Sequence, residues 1–410
     1  MQGTQILERV ERLGRHSDSK ENYTRTLFTP AHRAAARQIA EWMSEAGMVV
    51  RVDAVGNVIG RYDAATPGAK TVLMGSHFDS VRNGGKYDGV LGILVPIACV
   101  ADLARRGERL SSAIEVAAFS DEEGARFQTS FLSSRALIGH LDASVVEHRD
   151  AQGISLGQAM REAGLDPTRI ADAALDASEL AAYVELHIEQ GPVLLDAGEP
   201  LGVVTSIASG IRYLVRVRGE AGHAGTVPMS RRHDALAAAA EMVLAVEKEC
   251  TTVKSAVGTV GLLKVKDGTG NVIPGEVEFT VDVRAPDDEC RHRAESAVLR
   301  ALELIAKRRG VSVEPVRGPH DVKGVPCASW IQEQLGASIE RCVGHKAPRL
   351  PSGAGHDAMM LASVVDVGMI FVRCGAGGVS HNPAETVTAE DAGLAVAALV
   401  DFLRHFQSRG

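Results

Sequence analysis

Apolar residues follow two different patterns along the chain. Apolar residues recur at intervals of three and four over residues 30–46 and 90–104, which predicts helices. Short uninterrupted apolar runs occupy residues 71–74, 114–119 and 182–187. Such runs are typical of strands buried in the middle of a sheet. This alternation of strands and helices predicts an α/β fold with a mostly parallel sheet covered by helices.

The pattern changes between residues 211 and 318, where strands and helices follow the order β-α-β-β-α-β of a ferredoxin-like unit. The predicted elements are strand 212–218, helix 231–249, strands 257–266 and 277–284, helix 287–308 and strand 311–316. Elements of the first kind then return, at residues 329–343, 367–372 and 389–407. We therefore expect an inserted domain at residues 211–318, within a discontinuous domain formed by residues 1–210 and 319–410.

Composition excludes several classes of function. The chain has 410 residues and a net charge of −8, and it lacks the basic block that a nucleic-acid-binding protein uses to neutralise phosphates. The first residues lack the continuous apolar core of a signal peptide, and no apolar run reaches the roughly 18 residues of a membrane-spanning helix. Six scattered cysteines without a C-x-x-C pair favour thiols in a reducing cytoplasm. We expect a cytoplasmic protein that acts on a small molecule.

Histidine and carboxylate residues follow the predicted strands where those strands end. His77 and Asp79 come directly after the first apolar run, and Asp88 lies in the glycine-rich loop that follows. The carboxyl ends of strands in open α/β sheets are where ligands bind. An aspartate ahead of a helix is more often a helix cap, so Asp88 alone leaves both readings open.

Three adjacent acids, Asp121, Glu122 and Glu123, follow the second apolar run, and His187 ends the third. His381 lies in a later glycine-rich loop. Neighbouring carboxylates repel one another and need either solvation or bound cations. A single histidine on an apolar strand is usually structural, but four strand ends with such residues favour a metal site. Mixed imidazole and carboxylate ligands suit Zn, Mn, Co or Ni.

In combination, the motifs of this chain resemble the hydantoinase/carbamoylase family of amidases, within the superfamily of co-catalytic metallo-aminopeptidases. The motifs are GSHFDSVRNGGKYDG, SDEEGARF, HIEQGPVL, GHAGTVPM, NVIPG and GAGHDAMM. The family includes N-carbamoyl-L-amino-acid hydrolases, β-ureidopropionases and allantoate amidohydrolases. The resemblance implies a phosphorylase/hydrolase-like catalytic domain, an inserted domain that closes over the site and dimerises, and hence a homodimer.

By position, the resemblance implies two divalent metal ions per subunit. The implied ligands are His77, Asp88, Glu123, His187 and His381. Asp88 would bridge both ions, with the histidines at 77 and 187 on one ion and Glu123 and His381 on the other. Glu122 occupies the position of the general base, and Asp79 the position of the carboxylate that orients His77.

The resemblance also implies groups that bind the substrate. His223 would stabilise the oxyanion, from the same subunit or from its partner. The implied substrate-binding residues are Gln190, Asn271, Arg284, Gly353, Gly355 and His356. Arg284 could bind a carboxylate through two hydrogen bonds or be an ordinary surface residue of a strand. His356 could be structural, and the two glycines could simply form a turn.

Several functions remain open at this point. His187 favours amidases, because the related peptidases usually have an acidic residue at that position. Hydrolysis of an N-carbamoyl-L-amino acid to ammonia and carbon dioxide comes first, allantoate hydrolysis second and a two-metal aminopeptidase a distant third. A non-catalytic relative would lack the base or a ligand, and none is missing here. Residues 131–135 contain Leu and Ser where relatives more often have Phe-Gly or Met-Gly, which could change the wall of the pocket.

Overall fold

The structure is a computed structural model that describes residues 2–409, apart from the side chains of Pro319 and His320. The chain divides into two compact units. The larger unit comprises the described residues up to Thr205, Cys327–Leu350, and the described residues from Gly355 onward; the smaller unit comprises Ser206–Pro326 and Pro351–Ala354. Within residues 2–409, no helix combines the length and apolar character needed to cross a bilayer.

The described residues form both α-helices and strands, which occur singly and in short runs of one kind. The α-helices are α1 (Gln2–Gly14), α2 (Pro30–Glu45), α3 (Leu91–Arg105), α4 (Leu132–Leu137), α5 (Leu156–Glu162), α6 (Val193–Ala197), α7 (Ala235–Thr252), α8 (Asp288–Arg309), α9 (Ser329–Val343), α10 (Ala358–Leu361) and α11 (Ala389–His405). The strands are β1 (Val49–Val52), β2 (Val58–Tyr62), β3 (Thr71–His77), β4 (Ala113–Phe119), β5 (Leu180–Ile188), β6 (Leu201–Ile207), β7 (Ser209–Arg218), β8 (Gly222–His223), β9 (Val257–Thr259), β10 (Leu263–Val265), β11 (Val272–Ile273), β12 (Glu276–Ala285), β13 (Ser312–Val322), β14 (Val325–Pro326), β15 (Arg349–Ser352) and β16 (Val367–Val372).

The sheet of the larger unit has the strand order β1-β2-β4-β3-β5-β16-β6. Its central strands β4, β3, β5 and β16 are parallel, whereas the strands on either side of them are antiparallel. Every residue of β3 and β16 is buried, as the uninterrupted apolar runs predict. The mixed α/β class is confirmed, with the parallel pairing concentrated at the centre of the sheet.

The parallel strands end at the same edge of the sheet. Their last residues are His77 in β3, Phe119 in β4, Ile188 in β5 and Val372 in β16. Helix α3 packs against β3 and β5, and helices α1 and α11 pack against α3. This packing fixes the strands, and therefore the loops that carry the predicted site residues, relative to one another.

The smaller unit has its own core. Its sheet has the order β10-β12-β7-β13, with β9 also paired to β12, and its pairings are antiparallel. Alternate residues of β12 are fully buried, which is the pattern of a sheet covered on one face. The helices α7 and α8 cover that face with side chains such as Met242, Val298 and Leu302.

Two predicted elements of the smaller unit were wrong in detail. The predicted strand 257–266 is interrupted between Thr259 and Leu263, where the Leu262 N–H donates to the Thr280 hydroxyl oxygen at 3.1 Å instead of to a backbone carbonyl. The predicted helix 231–249 begins at Ala235, since the Asp234 side chain caps it by accepting the N–H groups of the residues at 236 and 237.

Candidate metal centre

Asp88 lies at the centre of a group of imidazoles and carboxylates in the larger unit. It is 4% exposed. Its Oδ1 atom lies 3.3 Å from Nε2 of His187 and 3.9 Å from Nε2 of His77. Its Oδ2 atom lies 3.2 Å from Nε2 of His381. The two oxygens of one carboxylate therefore face different histidines, which allows that carboxylate to contact two cations at once.

Glu123 completes the group on the side of His381, with its Oε1 atom 3.4 Å from the imidazole Nε2. Ligand atoms of His77, Asp88 and His187 lie within 4.8 Å of one another, and so do those of Asp88, Glu123 and His381. The structure thus brings together the five residues predicted as ligands, in two sets of three that share Asp88.

The loop before helix α3 brings Asp88 to this position. The first residue flanking α3 is Val90, and no side chain caps the helix there, so Asp88 is not a helix cap. Gly89 has φ +65°, and a Cβ atom at this position would lie 2.4 Å from the carbonyl oxygen of His77. Only glycine therefore allows the loop to pass so close to the end of β3.

Asp79 connects the end of β3 with the acidic loop after β4. Its Oδ1 atom lies 3.3 Å from Nδ1 of His77. Its carboxylate also accepts the backbone N–H groups of Glu122 at 3.0 Å and Glu123 at 3.2 Å. Burial lowers the pKa of His77, but the hydrogen bond and charge of Asp79 outweigh it and raise that pKa well above its usual value. With Nδ1 of His77 against Asp79, the Nε2 atom of the ring lies on the side of Asp88.

His187 provides the test of whether the group fits a metal ion. Its Nδ1 atom donates to the Ile188 carbonyl oxygen at 2.9 Å, so Nε2 carries the lone pair. Burial lowers the pKa of His187 to about 4, so the ring is neutral at pH 7. A lone pair thus faces a carboxylate oxygen of Asp88, which is repulsive unless a cation lies between them. The donor set fits a divalent metal ion.

The acids after β4 repel one another strongly. Burial and the charge of Asp88 raise the pKa of Glu123 to about 7. Burial and the charge of Glu123 raise the pKa of Glu122 well above its usual value. By contrast, burial raises the pKa of Asp88, but the hydrogen bond from His381 and the other nearby histidines outweigh it and lower that pKa. Bound cations would favour the ionised form of each of these carboxylates.

Two other predicted residues lie beside the group. Gln190 has φ +58° and donates from Nε2 to Oδ1 of Asp88 at 3.1 Å. His356 is fully buried, and its ring contacts that of His187 edge-on, with centroids 4.5 Å apart. Burial lowers the pKa of His356 well below its usual value. His356 therefore packs as a neutral ring against a predicted ligand.

The structure places His223 on strand β8 and Asn271 directly before strand β11, both in the smaller unit. Strand β8, which contains His223, pairs with β11, and the Ala224 N–H donates to the Asn271 carbonyl oxygen at 3.0 Å. The Gly225 N–H donates to Nδ1 of His223 at 3.0 Å. Because Nδ1 accepts a hydrogen bond, the proton of the neutral ring is on Nε2, which leaves that atom as a donor.

Arg284 lies on β12 of the smaller unit, and its guanidinium group is held on two sides. Its Nε atom donates to Oδ1 of Asp282 at 3.0 Å, and Nη2 donates to Oδ2 of the same carboxylate at 3.3 Å. Its Nη1 atom donates to the carbonyl oxygen of Gly353 at 2.9 Å. Two of the predicted substrate-binding residues are therefore in contact, and the guanidinium group has a fixed orientation.

Gly355 belongs to the larger unit and contacts segment 131–135, where the sequence predicts a difference from relatives. A Cβ atom at Gly355 would lie 2.8 Å from the ring of Phe131. Phe131 itself has φ +59°, and its N–H donates to the Glu122 carbonyl oxygen at 2.8 Å. Residues 131–135 therefore shape the surface next to the acidic loop.

Glu385 and His32 were not predicted from the sequence. Glu385 is a buried carboxylate four residues after His381, and its place in that glycine-rich loop was the available signal. His32, on α2, donates from Nε2 to the Ser120 carbonyl oxygen at 2.8 Å and stacks on Phe78 with centroids 4.4 Å apart. His32 had no signal in the local pattern, because its partners come from the ends of β3 and β4.

Comparison with known proteins identifies the family. The model of the family described as "Peptidase family M20/M25/M40" matches residues 62–405. An N-carbamoyl-L-amino acid amidohydrolase from Geobacillus stearothermophilus is 43% identical over 400 residues, which cover 97% of this chain and 97% of that protein. A crystal structure of an amidase of the hydantoinase/carbamoylase family from Burkholderia multivorans has a TM-score of 0.91 and 31% identity, and covers 98% of this chain and 97% of that one. The chain belongs to the hydantoinase/carbamoylase amidases of family M20/M25/M40.

The family predicted from the motifs is therefore confirmed. A further relative of this hydantoinase/carbamoylase amidase is an allantoate deiminase from Arabidopsis thaliana. It is 40% identical over 430 residues, which cover 97% of this chain and 81% of that protein. The residues predicted as metal ligands lie within the part of the chain that the family model matches.

Proposed function

We propose that the protein is a metal-dependent amidohydrolase that cleaves the carbamoyl or ureido C–N bond of a small carboxylate substrate. The first candidate substrate is an N-carbamoyl-L-amino acid, which would yield ammonia and carbon dioxide. The observation that carries the proposal is Asp88, whose two oxygens face different histidines. The relative from G. stearothermophilus supports this substrate. Allantoate is the second candidate, favoured by the allantoate deiminase from A. thaliana.

We infer that the group around Asp88 holds two divalent ions of Zn, Mn, Co or Ni. His77 and His187 would hold one ion, Glu123 and His381 the other, and Asp88 both. Imidazole and carboxylate ligands are accepted by all of these metals. When bound, such ions lower the pKa of a water molecule and polarise the substrate carbonyl.

We assign Glu122 as the general base. Its carboxylate oxygen lies within 4.8 Å of ligand atoms of His77 and Glu123. A water molecule bound between the proposed ions would therefore lie close to Glu122. Glu122 takes a proton from that water and returns it to the leaving nitrogen. Asp79 supports this role by accepting the Glu122 N–H and so fixing the backbone of the acidic loop.

We assign His223 to stabilisation of the oxyanion that forms at the attacked carbonyl. Its neutral ring carries the proton on Nε2, so it can donate a hydrogen bond to developing negative charge. Asn271, directly before the neighbouring strand β11, would bind the substrate beside it. As in the sequence-based expectation, His223 can belong to the same subunit or to the partner.

We assign Arg284 to binding of the substrate carboxylate. Asp282 and the Gly353 carbonyl hold its guanidinium group and leave outer N–H groups for the substrate. A fixed guanidinium loses little side-chain entropy when the carboxylate binds. The other proposed substrate-binding residues are Gln190, Gly353, Gly355 and His356.

We further propose that the larger unit is the catalytic domain and the smaller unit a ferredoxin-like lid and dimerisation domain. Large apolar side chains of the smaller unit support a homodimer, because Met229 is 77% exposed and Leu244 and Leu304 are each 67% exposed. Apolar side chains this exposed are often covered by a partner. The cysteines within residues 2–409 form no disulfide, which supports a cytoplasmic location.

Ammonia release from a panel of substrates tests the proposal. The panel contains N-carbamoyl-L- and N-carbamoyl-D-amino acids, β-ureidopropionate, allantoate and a dipeptide, whose cleavage is followed separately by amine release. We expect the highest kcat/KM for an N-carbamoyl-L-amino acid and no dipeptide cleavage. Higher kcat/KM for allantoate would select the second candidate, and cleavage of the dipeptide alone would contradict the proposal.

A further inference from the structure

The loop between β16 and α11 contains a buried carboxylate, Glu385, that has no role in the function proposed above. It is 3% exposed. Its Oε1 atom accepts the backbone N–H groups of Tyr87 at 2.9 Å and Asp88 at 3.0 Å. Its Oε2 atom accepts the hydroxyl of Ser380 at 2.8 Å. One carboxylate thus joins the loop that contains Asp88 to the loop that contains His381.

The glycine-rich loop before Asp88 is shaped around this carboxylate. A Cβ atom at Gly85 would lie 2.2 Å from the carboxyl carbon and Oε1 of Glu385. Any larger residue at position 85 would therefore displace the carboxylate or the loop. The absence of a side chain at Gly85 thus leaves the space that the Glu385 carboxylate occupies.

The side chain of Gln190 also joins the loop that contains Asp88 to the loop that contains His381. Gln190 donates from Nε2 to Oδ1 of Asp88 at 3.1 Å and to the Ser380 hydroxyl oxygen at 3.3 Å. Ser380 immediately precedes His381, which has φ +53°, a strained conformation for a residue with a side chain. Such a conformation persists when its surroundings hold it, and the Ser380–Glu385 hydrogen bond holds the residue directly before His381.

From these contacts we infer that Glu385 is a positioning residue that fixes the distance between Asp88 and His381. It acts through the Asp88 backbone on one side and through Ser380 on the other, without needing to contact a metal ion. Partners of this kind typically change metal affinity about 10- to 100-fold when removed. Glu385 can act in this way only if the proposed metal centre exists, so the inference rests on the proposed function.

The chain offers a matched control in Asp150. Its Oδ1 atom accepts two backbone N–H groups, those of Gln152 at 3.0 Å and Ile154 at 2.9 Å, and Oδ2 accepts Nε of Arg126 at 3.0 Å. Asp150 therefore loses the same number of hydrogen bonds as Glu385 on substitution. The residues it contacts are not proposed ligands.

The experiment measures the Zn²⁺ affinity of metal-stripped protein by competition with a chromogenic chelator, and needs no substrate. We compare wild type, Glu385→Ala, Glu385→Asp, Glu385→Gln and Asp150→Ala, with the melting temperature of each stripped variant. Gln can keep the contacts on both sides, whereas Asp keeps the charge but is one methylene too short to reach both loops. If Glu385→Ala does not fold, Glu385→Asp takes its place.

We expect Ala and Asp at position 385 to weaken the more weakly bound Zn²⁺ about 10- to 100-fold, Gln to weaken it less, and Asp150→Ala to leave it within about threefold. Wild-type affinity in Glu385→Asp, or equal losses at positions 385 and 150, would overturn the positioning role while leaving the metal centre in place. A wild-type protein that binds no Zn²⁺ would overturn the metal centre itself, and the inference with it.

Discussion

Nε2 of His381 lies 3.2 Å from Oδ2 of Asp88, on the oxygen that does not face the other histidines. This contact joins two loops that are far apart in the sequence. If the proposed centre holds two ions, this arrangement would let the carboxylate of Asp88 bind both of them. In the proposed function, Glu122 acts on the attacking water, and His223 and Arg284 act on the substrate.

Glu122→Gln should abolish most of the activity while leaving the metal content unchanged. The amide keeps the size of the side chain but cannot accept a proton, so kcat should fall about 100- to 10,000-fold. The measurement is steady-state ammonia release together with metal analysis of the same sample. Near-normal turnover with full metal content would remove Glu122 from the role of general base.

His223→Ala and Glu122→Gln subunits should complement each other if His223 acts across the dimer interface. Each mixed dimer would then contain one intact site, which gives about a quarter of the wild-type activity in a statistical mixture. The mixture is made by co-expression, with each variant alone as the control. A mixture no more active than its components would place His223 in the site of its own subunit, or rule out a dimer.

Arg284→Lys should raise KM for a carboxylate substrate about tenfold and change kcat little, because lysine cannot form the paired hydrogen bonds of a guanidinium group. The control is a substrate whose carboxylate is converted to an amide. Wild type and variant should handle that substrate alike. An equal loss on both substrates would show that Arg284 maintains the fold of the smaller unit instead.

His32 should make the protein less stable as the pH falls below 6.5. Burial lowers its pKa from 6.5 to about 4, so the unfolded chain binds a proton between these values that the folded chain does not. The unfolding free energy should therefore drop by about 2 kcal/mol between pH 7.5 and pH 5 on account of this residue. Urea unfolding of metal-stripped wild type and His32→Gln at both pH values isolates that contribution. Equal pH dependence in the two proteins would contradict it.

The strands that carry the site were predictable because a buried parallel strand requires an uninterrupted apolar run. Residues 71–74 and 182–187 were predicted, and the structure extends these strands to Thr71–His77 and Leu180–Ile188. Helix α1 was missed, although Ile6, Val10 and Leu13 are buried at helical spacing. The charged residues between them hid this pattern, and packing against α3 and α11 stabilises the helix.

The centre itself was only partly predictable, because its contacts are long-range. The local pattern around Asp88 also fitted a helix cap, and only the folded sheet brings its carboxylate to the histidines. Glu385 was missed for the same reason. The N–H groups that it accepts belong to Tyr87 and Asp88, which precede it in the sequence by 298 and 297 positions. Motif resemblance supplied the ligand set that periodicity could not.

The most direct test of the proposed two-ion centre is to add a divalent ion back to stripped protein while recording hydrolysis of an N-carbamoyl-L-amino acid. We expect no ammonia release without metal, and full activity at about two ions per subunit. Asp88→Asn should regain no more than a small fraction of this activity, because it loses the shared ligand. Full activity in the stripped protein, or in Asp88→Asn, would contradict the account.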